Sequence, residues 1–164
     1  MTPELHRPVA VDRIGPAGLD ITVEANATEC AALARRMDLP AIRSLSCRYH
    51  LAQDTARTLV ARGHLVARIV QTCIVSLEDF ATTVEERFTV HCVPEGHESE
   101  DPDPETPDEI TYVDGTLDLG EAVAEQLALA LDPYPRAPGA ELPEIDTDSD
   151  AHQFAALGAL KRPN

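Results

Sequence analysis

Two stretches of the chain carry arginine and histidine at spacings that place them on one face of a β-strand. Side chains two residues apart in a strand point to the same side of the sheet. Arg48 is followed by His50 at that spacing, and Arg62, His64 and Arg68 share one parity further along. Guanidinium groups offer forked donors that fit phosphate oxygens. The pattern predicts an RNA contact at four arginines: Arg48, Arg62, Arg68 and Arg87.

A second interpretation of the same residues is a solvated strand face, partly neutralised by Glu85. Val66 and Val70 share that face, which makes it less polar than a dedicated binding surface. The chain also lacks the basic excess expected of an RNA-binding domain. Composition alone favours this second interpretation, and both stay open at the level of the sequence.

Recognisable signatures of catalysis and metal binding are missing from the sequence. It contains no Gly-rich phosphate loop, no Gly-x-Ser-x-Gly elbow and no His-Glu-x-x-His helix. His91, Cys92 and His97 resemble metal ligands, but adjacent strand residues face opposite ways and a structural zinc site needs four ligands. The sequence therefore predicts a non-enzymatic protein with no cofactor, no metal and no small-molecule substrate.

The negative charge is concentrated in the second half of the chain. The 164 residues carry a net charge of −16. Residues 1–87 hold 11 acids against 10 lysines and arginines, whereas residues 88–164 hold 18 against 3. Such a block is typical of a solvated segment or of one that meets a basic partner. There is no apolar run long enough for a membrane span and no signal peptide, so we expect a cytoplasmic location.

The apolar pattern predicts an α+β fold. Alternation predicts four strands, over residues 19–25, 42–51, 58–73 and 81–93, with a bend or bulge at Gly63. Thr28 is the expected N-cap of a helix that runs to about Asp38. Long strands in succession predict a curved, barrel-like antiparallel sheet, with an aliphatic core because aromatic residues make up only 4% of the chain.

A second helix is expected between Asp118 and Leu131. Asp118 is placed to cap it, with Glu121 at the third helical position for a reciprocal contact, and Pro133 ends it. Its apolar residues recur at steps of three and four: Leu119, Val123, Leu127, Ala130 and Leu131. This stripe predicts a helix packed on the sheet.

The remaining segments are acidic and rich in proline. Residues 94–114 are predicted to form a disordered loop, because they cannot bury enough apolar surface to fold alone. An acidic tail over 137–164 ends in a short amphipathic helix, whose predicted partner-binding residues are Phe154, Leu157, Leu160 and Lys161. We therefore expect one domain, with a strand-rich part over 1–93, the loop over 94–114, the packed helix and proline segment over 115–136, and the tail over 137–164.

Three sequence motifs, in order, resemble the YceD-like family of large ribosomal RNA subunit accumulation proteins. The central one is the helix region 114–136, which reads Asp-Gly-x-Leu-Asp-Leu-Gly-Glu-x-Val-x-Glu-Gln-Leu-x-Leu-x-Leu-Asp-Pro-Tyr-Pro-Arg. Before it, Cys73-Ile-Val-Ser-Leu-Glu78 and the Val84-Glu-Glu-x-Phe88 strand resemble the family's Cys-x-x-Cys-Leu-Glu turn and the strand after it. After it, Phe154-Ala-x-Leu-x-x-Leu-Lys161 resembles the C-terminal signature of the family.

The resemblance implies a non-enzymatic factor that supports accumulation or processing of large-subunit (23S) ribosomal RNA and ribosome assembly. Its partner is then a precursor of that RNA, or a basic ribosomal protein held by the acidic segments and the C-terminal helix without direct RNA contact. The chain departs from the family at Ser76, where many relatives carry a cysteine, and at Ala137, where some carry another. The ligand set for a zinc or redox role is therefore incomplete, and Cys73 is expected to be a packed thiol.

Overall fold

The computed structural model describes residues 3–54, 58–100, 104–105 and 107–142. Two helices and two β-sheets form from these residues. In chain order the elements are β1 (Pro8–Ala10), a 3-10 turn (Val11–Arg13), β2 (Leu19–Glu24), α1 (Ala27–Arg36), β3 (Ala41–Gln53), β4 (Leu59–Thr72), β5 (Asp79–Pro94), β6 (Glu109–Tyr112), β7 (Thr116–Asp118) and α2 (Leu119–Ala130).

The larger sheet has five strands in the order β2-β3-β4-β5-β6. The four predicted strands are present and form its first four members as an antiparallel meander. Within them the predicted alternation is confirmed: Leu45, Cys47, Tyr49 and Leu51 are at most 2% exposed. Side chains of the opposite parity, Arg48 on β3 and Arg62 and Arg68 on β4, are exposed. One face of the sheet therefore meets the core and the other meets solvent.

The predicted barrel is wrong, because the sheet stays open between two edge strands, β2 and β6. The sheet is also mixed: β6 runs parallel to β5, with His91 opposite Glu109 and Pro94 opposite Tyr112. Residues 109–112 had been expected to belong to a disordered loop. They form a strand because they add to an edge that β5 already presents, so they need no core of their own.

Gly63 does not form the predicted bulge. It pairs in register with Tyr49 on one side and Phe88 on the other, and the register shift lies instead between Ile42 and Ser44. A Cβ atom at position 63 would lie 2.1 Å from Cζ of Phe88. Glycine is needed here because the Phe88 ring lies across it, edge-on to the Tyr49 ring at 5.8 Å between centroids.

Both helices pack on the core face of the sheet. The N-cap of α1 is Asn26 rather than Thr28, and its side chain accepts from the Glu29 N–H at 3.0 Å while Glu29 accepts from the Asn26 N–H at 2.8 Å. This reciprocal pair satisfies two free donors at the start of the helix. The helix ends at Arg36, short of the predicted Asp38.

Helix α2 begins as predicted, with the Asp118 carboxylate accepting from the N–H groups of Gly120 and Glu121 at 2.9 and 3.3 Å. Glu121 makes no reciprocal capping contact and instead binds Arg36 of α1 at 2.6 Å. The Tyr49 hydroxyl donates to the Leu119 carbonyl at 3.3 Å and ties α2 to the sheet. The core between them is aliphatic, as expected; its largest fully buried side chains are Leu5, Leu33, Leu51, Leu65, Ile69, Leu117, Leu119 and Leu127.

The N-terminal segment closes the core from the side of α2. Leu5 is fully buried, and β1 pairs antiparallel with β7, so that Val9 lies opposite Leu117. These strands have three residues each, too few to show a period in the sequence.

Of the described helices, neither is long and apolar enough to cross a bilayer. The predicted C-terminal helix lies outside the described residues, and disorder of the rest of the acidic loop, apart from β6, stays a prediction.

Candidate nucleic-acid interface

The solvent face of the large sheet brings the predicted arginines together. Because β3, β4 and β5 pair in register, Arg48 lies opposite His64, which lies opposite Arg87. One step along the strands, His50 lies opposite Arg62. We call this surface the arginine face; it consists of Arg48, His50, Arg62, His64, Arg68 and Arg87 with the side chains between them.

Three of the four predicted arginines line one groove of about 410 Å³ on the arginine face. These are Arg48, Arg62 and Arg87, and the lining also includes His50, His64, Asp20 and Thr89. Tyr49, Gly63 and Phe88 form its floor, with both aromatic rings turned to the core side. Arg68 does not line the groove, since it lies six residues beyond Arg62 on β4, opposite Ser44 and Thr83.

A hydrogen-bonded chain across three strands fixes one of these arginines. Nη2 of Arg48 lies 3.2 Å from Nδ1 of His64, and Nε2 of His64 lies 2.7 Å from a carboxylate oxygen of Glu85. A guanidinium only donates, so Nδ1 of His64 accepts, and its Nε2–H donates to Glu85. Both ring nitrogens of His64 are thus engaged. His64 positions Arg48 and has no free nitrogen for proton transfer.

None of the described residues holds the other guanidinium groups of the face. Within the described part of the chain, Arg62, Arg68 and Arg87 make no side-chain hydrogen bond or ion pair. Acids are present nearby: Asp20 binds Nδ1 of His50 at 2.7 Å, and Glu24 and Glu85 share one row of the face. The face therefore has a small excess of positive charge, with three guanidinium groups available to an external anion.

Cys73 is a packed thiol, as expected, and is 0% exposed. The polar surroundings of its sulfur were not predicted. The Ser76 hydroxyl, with the N–H groups of Ser76, Ala137 and Val75, lowers the pKa of the Cys73 thiol from its usual 9.0 to about 6. The N–H groups of Val75 and Ser76 each lie 3.4 Å from Sγ. The fold thus gathers around Cys73 the positions Ser76 and Ala137, where relatives are expected to carry cysteines.

The lowered pKa of Cys73 predicts that the stability of the protein depends on pH. Between pH 6 and 9 the folded state holds a thiolate while the unfolded state holds a thiol, so unfolding takes up a proton and stability rises with pH. We expect the melting temperature of the native protein, relative to Cys73→Ala, to rise across that window. Burial raises the pKa of Cys30, so the melting temperature of the native protein relative to Cys30→Ala, the control, should show no such rise. Parallel pH profiles for native protein and Cys73→Ala would contradict the assignment.

The remaining predicted residues do not add to this site. His91 and Cys92 lie on opposite faces of β5, where Cys92 is 3% exposed and burial raises its pKa to about 12. Among the described residues, no group of three or more His, Cys, Asp or Glu side chains is arranged to hold a metal ion. Phe154, Leu157, Leu160 and Lys161 lie outside the described part of the chain.

Comparison with known proteins agrees with the sequence motifs. A family model described as large ribosomal RNA subunit accumulation protein YceD matches residues 61–161, well over half of the chain. The match includes most of β4, most of the arginine face, α2 and the C-terminal motif. No curated protein and no solved structure matches the chain. On the extent of the family match, the chain belongs to the YceD family of large ribosomal RNA subunit accumulation proteins.

Proposed function

We propose that this protein supports the accumulation of large-subunit ribosomal RNA by binding that RNA directly through the arginine face. The family description points to a role in large-subunit ribosomal RNA accumulation. The observation that carries the direct contact is the groove between β3, β4 and β5, where Arg62 and Arg87 have no partner among the described residues. The cytoplasm is the location that this role implies.

The charge distribution supports a weak, oriented contact rather than a tight one. A chain of net charge −16 repels a polyanion as a whole, most strongly through residues 88–164, which hold 18 of its 29 acids. Only a local excess of guanidinium groups on an exposed face opposes this repulsion, so RNA is expected to approach from that side. Affinity built on phosphate contacts falls steeply with salt.

The proposed role needs no chemical step. Binding protects or orders a stretch of RNA while other factors process it. Both ring nitrogens of His64 are hydrogen-bonded, one to Arg48 and the other to Glu85. His50 binds Asp20 through Nδ1, and its ring packs against Gly18, where a Cβ atom would lie 2.8 Å from Cε1. These contacts suit positioning residues better than acid–base catalysts.

Deleting the gene and measuring both ribosomal RNAs tests the function. We expect the ratio of large-subunit to small-subunit RNA to fall, and to recover when the native gene is restored. Cross-linking of the tagged protein in cells should then recover large-subunit RNA. An unchanged RNA ratio in the deletion strain would sink the proposed function itself.

A second candidate is an adaptor that binds a basic ribosomal protein without touching RNA. It is favoured by large apolar side chains exposed in the acidic half of the chain: Leu129 is 77% exposed and Tyr134 is 70% exposed. Tyrosine is a typical anchor of protein interfaces. In the same cross-linking experiment, recovery of a ribosomal protein without RNA would select this candidate over direct RNA contact.

A further inference from the structure

We propose that the arginine face recognises the phosphate backbone of double-helical RNA along a strip of several phosphates, without reading bases. This inference rests on the proposed function and names the feature of RNA that the site takes. It follows from which side chains the face carries, from their spacing along β4, and from the acids on either side.

The side chains of the arginine face do not suit base recognition. Proteins that read single-stranded RNA on a β-sheet stack bases on exposed aromatic rings. Here Tyr49 is 2% exposed and Phe88 packs edge-on to it on the core side. Gln71, which carries an amide able to read a base edge, is 6% exposed and donates to the Asp132 carbonyl. The guanidinium groups are then the side chains of the face that can contact RNA. The deep, narrow major groove of helical RNA keeps them from the base edges.

The spacing of the arginines indicates a strip rather than a single phosphate pocket. Six residues separate Arg62 from Arg68 on β4, which is about 20 Å at the rise of an extended strand. Two strand spacings separate Arg48 from Arg87, about 10 Å across the sheet. At roughly 3 Å of axial rise per base pair, the distance along β4 matches about six base pairs of a helical stem.

Acidic side chains set the direction of the strip. Asp20 and Glu24 lie on the edge strand β2, and Glu85 lies on β5 beside His64. These carboxylates repel a backbone that crosses the sheet from β2 to β5. A backbone that runs along β4 instead meets Arg62 at one end and Arg68 at the other. Halfway it passes Val66 with Glu85 opposite on β5, whereas a path across that row meets both Glu24 and Glu85.

The length of the RNA and the variant Arg68→Ala together test this geometry. Fluorescence anisotropy would measure binding to RNA hairpins with stems of about four and about twelve base pairs, to a long stem of scrambled sequence, and to a single strand of the same length. We expect the long stem to bind at least about tenfold more tightly than the short one, and the scrambled stem to bind equally. The single strand should bind more weakly than the long stem.

Arg68→Ala should weaken binding of the long stem about threefold to tenfold and leave the short stem unchanged, because only the long stem reaches position 68. Arg35→Ala, on α1 at the opposite side of the sheet, is the matched control and should change neither. Preference for a sequence or for the single strand would overturn the inference, as would an Arg68→Ala effect equal on both stems. Those outcomes leave RNA binding intact, whereas absence of binding to every RNA would strike the proposed function.

Discussion

Alanine in place of Gly120 is expected to lower the free energy of unfolding by about 2 kcal/mol, the reverse of the usual effect in a helix. Inside a helix, alanine is normally favoured over glycine by about 1 kcal/mol. Here a Cβ atom would lie 2.4 Å from the carbonyl oxygen of Leu5 and 2.7 Å from its carbonyl carbon. These are backbone atoms of a segment that cannot retreat, since the Arg7 N–H donates to Asp118 at 2.8 Å and the Leu119 N–H donates to the Arg7 carbonyl at 3.0 Å.

Denaturant unfolding of the purified protein measures this change. Gly15→Ala is the control, because a Cβ atom at position 15 meets nothing within 4 Å and the stability should change by less than about 0.5 kcal/mol. Stabilisation by alanine in the full chain would show that the N-terminal segment does not press on α2.

Loss of Arg48, Arg62 and Arg87 together is expected to weaken RNA binding roughly 100-fold and to lower the slope of log affinity against log salt by about 3. Each guanidinium that contacts a phosphate releases about one counterion. The triple alanine variant should keep its fold, because all three side chains are exposed and none belongs to the core. Anisotropy titrations with large-subunit RNA fragments between about 50 and 200 mM salt measure both quantities.

A double variant distinguishes Arg62 and Arg87, which have no side-chain partner among the described residues, from Arg48, which contacts His64. Arg62→Ala with Arg87→Ala leaves the chain from Glu85 through His64 to Arg48 intact, and should remove about two thirds of the change in slope. Arg35→Ala on α1 changes the net charge in the same direction without touching the face, so its slope should match that of the native protein. Affinity unaltered in the triple variant would exclude the arginine face as the RNA contact.

Strand parity in the sequence was enough to predict that the arginines share a face. A side chain points to one side or the other every second residue, so Arg62 and Arg68 had to lie together once β4 formed. The same parity placed Leu45, Cys47, Tyr49 and Leu51 in the core, and the structure confirms this. Asp118 as the cap of α2 was also predictable, because capping depends on residues within one turn.

Contacts between distant segments could not be predicted from strand parity or local capping. The N-cap of α1 is a local exception: Asn26 and Thr28 both suit the position, and the reciprocal contact between Asn26 and Glu29, only three residues apart, decides for Asn26. Strand β6 was missed because its four residues pair with an edge that only the folded β5 provides. The donors around Cys73 were missed for the same reason, since Ala137 lies 64 residues further along the chain.

The sequence by itself determined the face on which each strand residue lies, the limits of α2, the separation of acidic and neutral halves, and the family motifs. Each depends on neighbours within a few positions, where spacing alone sets direction. The tertiary structure decided the register, and with it that Arg48, His64 and Arg87 share one row while Arg68 lies apart. Register depends on how whole strands pack against the helices and on the close approach of Phe88 to Gly63, and a sum over local preferences does not contain those contacts.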